Sequence, residues 1–290
     1  MLVNLYALYV VIFIFGTIIG SFLNVVVLRF NTGASLSGRS RCFTCAKQLR
    51  WLDMLPVFSY LILRGRCRSC KSSFSFQYPL VEILAGLLFL GTFIQIGDMQ
   101  TDASLSPFLS LFSWGRIFFF WIFWSLLLVI AVYDIRHKII PDFFVYCLGT
   151  LGGLGIFLEA YLGGLSSVAI MYAFSIGLFL ALPFFLIWYF SHGRAMGFGD
   201  VKLALVLGWF VTLPQAIALF VLSFWIGGIV GIVFLCVSLL RKNSLSSGKS
   251  RVTMKSEMPF APFLIFGMII VFFCSVDIFT VIGWFEQLWL

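Results

Sequence analysis

Long apolar runs separated by short polar segments extend through most of the chain. A transmembrane helix takes about 20 apolar residues, because the hydrocarbon core is about 30 Å thick and an α-helix rises about 1.5 Å per residue. Runs of this kind lie near residues 5–28, 79–97, 111–133, 143–160, 167–190, 201–213, 216–240 and 260–283. The pattern therefore predicts an all-α polytopic membrane protein with about eight transmembrane helices.

The composition excludes most other classes of protein. Of the 290 residues, 62% are hydrophobic and only 10% are charged, and the mean hydropathy is +1.10. A soluble domain carries about 25% charged residues, so this chain has too few to cover a water-facing surface. Soluble enzymes, disordered tails and small disulfide-stapled secreted modules are excluded.

Residues 31–78 form the one long polar stretch between apolar runs. This stretch is basic and holds four of the seven cysteines. Residues 1–28 contain no Lys or Arg, so the positively charged segment that precedes the apolar run of a signal peptide is missing, and we expect a retained anchor rather than a cleaved signal peptide. We therefore expect a first transmembrane anchor at 1–30, a small loop domain at 31–78 and a seven-helix membrane domain at 79–290.

The basic residues are placed as a topology signal. The net charge is +8, and if the spans alternate, 18 of the 19 Lys and Arg residues fall on one side, with only Arg116 on the other. The positive-inside rule then predicts a cytosolic loop domain and both termini on the outer side of a bacterial inner membrane. Nucleic-acid binding is not indicated, and attraction to anionic membrane lipid is a secondary explanation of the charge.

Two Cys-x-x-Cys pairs in the loop domain predict a structural zinc site. Cys42 and Cys45 form the first pair, and Cys67 and Cys70 form the second after 21 intervening residues. Two such pairs supply the tetrahedral four-sulfur set that structural Zn²⁺ prefers. Two disulfides are the competing interpretation, but a reducing cytosol disfavours them. A loop of this size has little core of its own, so a metal would supply stability.

Two aspartates stand out among the acidic residues because ionisable groups near membrane depth are costly. Asp134 ends the third apolar run and Asp200 begins the sixth, 66 residues later, both at the predicted cytosolic edge. Paired carboxylates are sufficient for peptide hydrolysis, with one activating water and the other protonating the leaving amine. The helix dipoles favour Asp200 as the ionised base and Asp134 as the protonated acid. The alternative interpretations are that Asp200 is an ordinary helix N-cap and that Asp134 is a residue at a helix end whose side chain extends to the membrane interface.

Residues around Asp200 are candidates for substrate contact. Gly197 and Gly199 lack Cβ atoms and would allow an extended substrate backbone to approach, and Lys202 follows Asp200 closely. Lys202 is equally explained as a cytosolic flanking charge. The sixth run, from Val201 to about Leu213, is too short to cross the core, which predicts that Asp200 lies about 10 Å below the cytosolic interface in a water-filled cavity.

These motifs together resemble the type IV prepilin peptidases, which are membrane aspartyl proteases with a Gly-x-Gly-Asp motif. The resemblance covers nearly the whole chain, and only Phe43, where the family commonly has proline, departs from it. It is carried by Gly20-Ser-Phe-Leu-Asn-Val-Val, Gly38-Arg-Ser-Arg-Cys42 with the second cysteine pair, Tyr78-Pro-Leu-Val-Glu82, Asp134 with Ile140-Pro-Asp142, Gly197-Phe-Gly-Asp200-Val-Lys202 and Pro259-Phe-Ala-Pro-Phe263.

The resemblance implies two activities. One is cleavage of the leader of prepilins or pseudopilins on the cytosolic side, with Asp134 and Asp200 matching the catalytic pair. The other is methylation of the new N-terminus with S-adenosylmethionine, which the residues alone do not predict because no nucleotide-binding glycine pattern is present. Glu82 is the main candidate for a cofactor-binding residue, although an ion pair with a neighbouring arginine would also explain it. Asp53 is better explained as such an ion-pair partner.

A proton-coupled transporter or channel with a zinc-binding regulatory loop is the rival function. Paired aspartates alone would permit it. A proton path needs polar groups through the whole membrane thickness, however, and the outer halves of the predicted spans offer none.

Overall fold

The protein is described from a computed structural model. It describes residues 2–33, 35, 38, 40–42, 44–98, 111–164, 166–241 and 259–289. Within these residues the regular structure is helical, and two isolated β-bridges are the only extended pairing. The helices are α1 (Leu2–Arg29), α2 (Phe58–Ile62), α3 (Gln77–Asp98), α4 (Leu111–His137), α5 (Asp142–Gly163), α6 (Ser167–Ser191), α7 (Phe198–Leu207), α8 (Leu213–Arg241), α9 (Ala261–Cys274) and α10 (Ile278–Trp289). Short 3₁₀ turns occupy Trp51–Met54 and Gly208–Phe210.

Six of these helices are long and apolar enough to cross a membrane, namely α1, α3, α4, α5, α6 and α8. The prediction of an all-α polytopic membrane protein is therefore confirmed. The other two predicted spans are shorter than expected. The run at 201–213 is the ten-residue helix α7 followed by a 3₁₀ turn, and the run at 260–283 is divided into α9 and α10. The division falls at Ser275, which has a left-handed backbone conformation with φ of 50°.

The chain forms two compact units, Met1–Val129 and Ile130–Leu290, which are described separately. Part of the polar connection after α3 and most of the basic segment after α8, at 99–110 and 242–258, lie outside the described residues.

In the first unit, α1 packs antiparallel against α3 at very short range. A Cβ atom added to Gly16 would lie 2.8 Å from the carbonyl oxygen of Ala85, and one added to Gly20 would lie 2.8 Å from the Cα of Glu82. Small residues let helix backbones approach closely inside a membrane. This packing places the second turn of α3, including Glu82, directly against α1.

In the second unit, the short helix α7 is surrounded by other helices. Five of its apolar side chains are buried: Val201, Leu203, Ala204, Val206 and Leu207. At its end, a Cβ atom added to Gly208 would lie 2.5 Å from the Cα of Gly177 in α6, so both positions require glycine for this close approach. The tight packing fixes the position of the first turn of α7, which carries Asp200.

Candidate active sites and metal centre

The two predicted catalytic aspartates are brought together in the second unit. Asp134 lies in the last turn of α4 and Asp200 lies in the first turn of α7. Only 4% of Asp134 and 7% of Asp200 is exposed, and the two carboxylates are close enough for their charges to interact. Two buried acids whose charges repel each other do not both ionise readily, so one carboxyl group of the pair is expected to keep its proton.

The hydrogen-bond partner of Asp134 was not foreseen from the sequence. Its Oδ2 accepts a hydrogen bond of 3.2 Å from the backbone N–H of Ala261, the first residue of α9. The first backbone N–H groups of a helix have no partner within the helix and favour a negative charge. Asp134 is therefore in the last turn of α4, while its carboxylate lies at the N-terminus of α9.

Asp200 has a different set of contacts. Its backbone N–H donates to the carbonyl of Gly197 over 3.2 Å, and its buried Oδ1 has no hydrogen-bond partner among the described residues. Both aspartates thus face a helix N-terminus, so the dipole argument made from the sequence does not distinguish them. Backbone N–H groups donate to both carboxylates and favour a negative charge at either one, so the assignment of the ionised base to Asp200 stays a prediction.

The two glycines before Asp200 differ in their surroundings. A Cβ atom added to Gly197 would lie 3.7 Å from Asp200 Oδ2, which is an ordinary contact distance, whereas one added to Gly199 would lie 3.0 Å from the Cβ of Ile140. Gly199 therefore packs against the α4–α5 connection. Space beside the carboxylate remains at Gly197, the N-cap of α7.

Lys202 contacts another part of the same unit. Its Nζ forms an ion pair with Asp142, the first residue of α5, and lies 5.5 Å from the centroid of the Phe198 ring. The pair is partly exposed to solvent, with 26% of the Lys202 side chain and 53% of the Asp142 side chain accessible. This contact and the packing of Gly199 on Ile140 join the start of α5 to the start of α7.

The four cysteines of the loop domain form one cluster in the first unit. All four Sγ atoms lie within 4.8 Å of one another, and those of Cys42 and Cys70 are 3.7 Å apart. Four sulfurs arranged tetrahedrally at about 2.3 Å from a zinc ion are about 3.8 Å apart. The donor set and its spacing thus fit structural zinc, and Cys42 and Cys67 are buried while Cys45 and Cys70 are exposed.

The two cysteine pairs, which share the sequence pattern Arg-Cys-x-x-Cys, have the same backbone structure. In the first, the N–H of Cys42 donates to the carbonyl of Lys47 and that of Ala46 donates to Cys42. The same two bonds recur 25 positions later, from Cys67 to Ser72 and from Lys71 to Cys67. Ala46 and Lys71 both have positive φ, at 54° and 58°. The repeated turn presents each pair of thiols to the same point.

The environment of the cluster favours thiolates in part. Backbone N–H groups of Cys45 and Thr44, together with the Ser72 hydroxyl, lower the pKa of Cys42 to about 6. A hydrogen bond from the backbone of Lys47 lowers the pKa of Cys45, but partial desolvation and the other three cysteine side chains together outweigh it and raise this pKa to about 11. Four thiolates this close together need a cation to balance their charge, which a divalent metal provides.

A cavity of about 910 Å³ lies in the first unit between the loop domain and the ends of α1 and α3. Its walls include Phe22 and Val25 of α1, Tyr60 of α2 and Asp53 of the loop, and Glu82 of α3 also lines it. Most of the lining is apolar, and the volume is in the range of sites that enclose small organic ligands.

Glu82 is a buried acid with an unexpected main-chain partner. Only 7% of the residue is exposed, and its Oε2 accepts a 2.7 Å hydrogen bond from the backbone N–H of Val57. Val57 has a φ of 61°, which is unusual for a β-branched residue. Asp53 forms a two-pronged ion pair with Arg68, through hydrogen bonds of 2.8 and 3.0 Å to one carboxylate oxygen. Asp53 thus has the arginine partner that the sequence suggested.

Comparison with known proteins decides the family. Two family models match the chain, the bacterial peptidase A24 N-terminal domain over residues 14–96 and the type IV leader peptidase family over residues 121–232. The chain is similar to proteins named prepilin leader peptidase/N-methyltransferase. One, from Stutzerimonas stutzeri, is 30% identical over 95% of this chain and 89% of that protein.

The chain belongs to the type IV leader peptidase family. A relative of the same name from Bacillus subtilis is 29% identical over 90% of this chain and 92% of its own length. One from Myxococcus xanthus is 32% identical over 78% of this chain, which spans 63% of that protein. No solved structure matches the chain at a comparable level. The first matched family segment contains Glu82 and the four cysteines, and the second contains Asp134 and Asp200.

Proposed function

We propose that this chain is a bifunctional membrane enzyme that removes the leader peptide of type IV prepilins or pseudopilins and then N-methylates the new N-terminus. The observation that carries the peptidase half is the pairing of two buried carboxylates, Asp134 and Asp200, on helices 66 residues apart in sequence. The family membership and the names of its relatives support both halves. The rival function, a proton-coupled transporter or channel, has no support from these comparisons.

Peptide hydrolysis at the aspartate pair needs one ionised and one protonated carboxyl group. We assign the negative charge at the start of the cycle to Asp134, whose carboxylate already accepts the N–H of Ala261. The carboxylate takes a proton from water as the water oxygen attacks the scissile carbonyl carbon. Asp200 donates a hydrogen bond to the carbonyl oxygen and then a proton to the leaving amine. This assignment is the reverse of the one expected from the sequence.

Substrate would reach this pair beside Gly197, where no Cβ atom occupies the space next to Asp200 Oδ2. An extended backbone at this point would lie next to the Asp200 carboxylate. Gly199 serves the site indirectly, because its contact with Ile140 sets the distance between α7 and the α4–α5 connection. Lys202 contributes a positive charge nearby, shared with Asp142. We further propose that Lys202 contacts the substrate.

Methylation is assigned to the cavity in the first unit. S-adenosylmethionine supplies a methyl group on a positively charged sulfur. The cavity fits this cofactor because it is large, mostly apolar and lined by the buried acid Glu82. Glu82 would hold the cationic part of the cofactor or accept the proton that the substrate amine loses. Asp53 is already paired with Arg68 and is the weaker candidate.

The four cysteines would hold Zn²⁺ in a structural role. All four ligand positions are taken by Cys42, Cys45, Cys67 and Cys70, so no position remains open for water or substrate. Cys42 also lines the cavity, so a metal at this cluster would stabilise one wall of the methylation site.

The enzyme is placed in the bacterial inner membrane by its helices and its family. We further propose that the loop domain is cytosolic and that both termini are on the outer side. The distribution of Lys and Arg supports this orientation.

Incubation of the purified enzyme with a prepilin in detergent tests the proposal. Intact-mass analysis should show loss of the leader without any cofactor, and a further mass gain of one methyl group only when S-adenosylmethionine is added. The Glu159→Gln variant, which changes an exposed acid of α5, should behave as the wild type. Proton flux in proteoliposomes without cleavage of the prepilin would favour the transporter instead.

A further inference from the structure

The short helix α2 has two different faces. Ser59 and Tyr60 line the cavity, whereas Phe58, Leu61 and Ile62 point away from it and are 64%, 65% and 73% exposed. Residues three and four apart lie on the same side of an α-helix. The three exposed side chains therefore form one apolar face.

The 3₁₀ turn that precedes α2 is also apolar and exposed. Trp51 is 70% exposed and Leu52 is 46% exposed. Side chains of this size are uncommon on water-facing surfaces when they occur together, and tryptophan is enriched at membrane–water interfaces. We call Trp51, Leu52, Phe58, Leu61 and Ile62 the interfacial surface.

The hydrogen bond between Val57 and Glu82 sets the depth of α2 in the first unit. Val57 immediately precedes α2, and its N–H lies 2.7 Å from Glu82 Oε2. Glu82 is five residues inside the candidate span that begins at Gln77, or about 7.5 Å along the helix axis. The start of α2 is therefore held level with the second turn of a transmembrane helix rather than above its end.

The charges around the interfacial surface complement an anionic membrane. Arg50 precedes Trp51, and Arg64 lies two positions after Ile62, and both are exposed. Nine Lys and Arg residues lie between Arg29 and Lys71, and Asp53 is the only acid among them. Helices that lie in the membrane interface combine an apolar face of this kind with basic flanks.

We propose that the interfacial surface is embedded in the lipid headgroup and upper acyl region of the membrane leaflet from which the loop domain emerges. The opposite face of α2 lines the cavity, so the embedded helix would hold that wall of the cavity at the membrane surface. Its occupant is lipid, and anionic phospholipid is favoured by the flanking arginines. This inference concerns where the loop domain lies and does not depend on the reactions assigned to either site.

Site-specific photocrosslinking tests the proposal. The photoreactive amino acid p-benzoyl-phenylalanine is incorporated at Leu61 or Ile62 in the full chain, and at Ser69 or Ser73 as matched controls, because these serines are exposed on the second cysteine turn. Each protein is reconstituted in nanodiscs of phosphatidylethanolamine and phosphatidylglycerol, irradiated and analysed for lipid adducts by mass spectrometry. Circular dichroism confirms that each variant is folded.

The expected result is about tenfold more lipid adduct at Leu61 and Ile62 than at Ser69 and Ser73, since only the former would reach acyl chains. Equal yields at all four positions, or no adduct at Leu61 and Ile62, would overturn the proposal. Replacement of the lipid adduct by a peptide adduct when a prepilin is added would also overturn it, because the surface would then bind substrate. A higher yield of lipid adduct in nanodiscs with more phosphatidylglycerol would support the proposed attraction between the flanking arginines and anionic lipid.

Discussion

Asp134 and Asp200 stand on helices that pack tightly against their neighbours, whereas Glu82 faces a cavity whose other walls include a polar loop. Close helix contacts at glycines position the aspartates, as at Gly208 against Gly177. The loop around the cavity has little apolar core, and the residues that order it are four cysteines and the hydrogen bond from Val57 to Glu82. The aspartate site is held by helix packing alone, whereas the cavity combines close packing of α1 on α3, which positions Glu82, with a metal-binding loop.

Because different interactions order the two sites, we expect that cleavage and methylation can each be lost without the other. Damage to the metal cluster removes order from the cavity but leaves the packing around α7 in place. Damage to either aspartate removes the acid–base pair but leaves the cavity intact.

The largest effect is expected from Asp134→Asn and Asp200→Asn. Each should lower the rate of prepilin cleavage about 10³-fold or more, because the amide can neither accept nor donate the proton that the mechanism moves. Methylation of a synthetic peptide that already lacks its leader should be unchanged. Mass spectrometry measures both products in the same reaction. Cleavage at more than a tenth of the wild-type rate in either variant would rule out the assigned pair.

The next largest effect is expected from Cys42→Ser or from removal of the metal by a chelator. The bound zinc should fall, and thermal unfolding should shift down by about 5 °C or more, because coordination energy is coupled to folding of the loop. Methylation should be lost with the metal, while cleavage should persist. Metal analysis and a thermal melt are the measurements, and Cys147→Ser in α5 is the control. Unchanged zinc content in Cys42→Ser would disprove the four-cysteine site.

A smaller and more selective effect is expected from Glu82→Gln. The amide oxygen can still accept the hydrogen bond of Val57, so the loop should remain folded, but the negative charge in the cavity is lost. Methylation should fall about 10- to 100-fold, as when a charged partner is removed from a binding site. Cleavage should not change. Equal methylation by wild type and variant at all cofactor concentrations would show that Glu82 only anchors the loop.

The smallest effect is expected at the ion pair of Lys202 and Asp142. A partly exposed pair contributes about 0–1 kcal/mol to stability, so Lys202→Met and Asp142→Asn should unfold at nearly the wild-type temperature. If Lys202 also contacts substrate, its replacement should raise the KM for prepilin more than Asp142→Asn does. Steady-state kinetics of both variants distinguish the two roles. Identical KM values for the two variants would show that Lys202 acts only through its ion pair with Asp142 and does not contact the substrate.

Much of this architecture was predictable because it depends on local patterns. Six long apolar runs became membrane-spanning helices, and the doubled Cys-x-x-Cys motif became a single four-thiol cluster. The proximity of Asp134 and Asp200 followed from placing both at the same edge of the membrane. In each case a short stretch of sequence contains the information.

Contacts between distant segments could not be predicted in this way. The N–H of Ala261 reaches Asp134 across 127 positions of sequence, and no local pattern marks a backbone donor. The partner of Glu82 is likewise a backbone group, on Val57. The length of α7 was overestimated because residues 208–213 are also apolar, although the helix ends where Gly208 packs against Gly177. Tertiary packing decides such features.

The central claim is that cleavage and methylation are carried by two separate sites on one chain. Mixing two single-site variants, Asp200→Asn and Glu82→Gln, with prepilin and S-adenosylmethionine tests it most directly. Asp200→Asn alone should leave the prepilin intact, and Glu82→Gln alone should yield cleaved pilin with little methylation. We expect the mixture to yield cleaved and methylated pilin, because each protein supplies the activity that the other lacks. A mixture that produces no more methylated pilin than Glu82→Gln alone would contradict it.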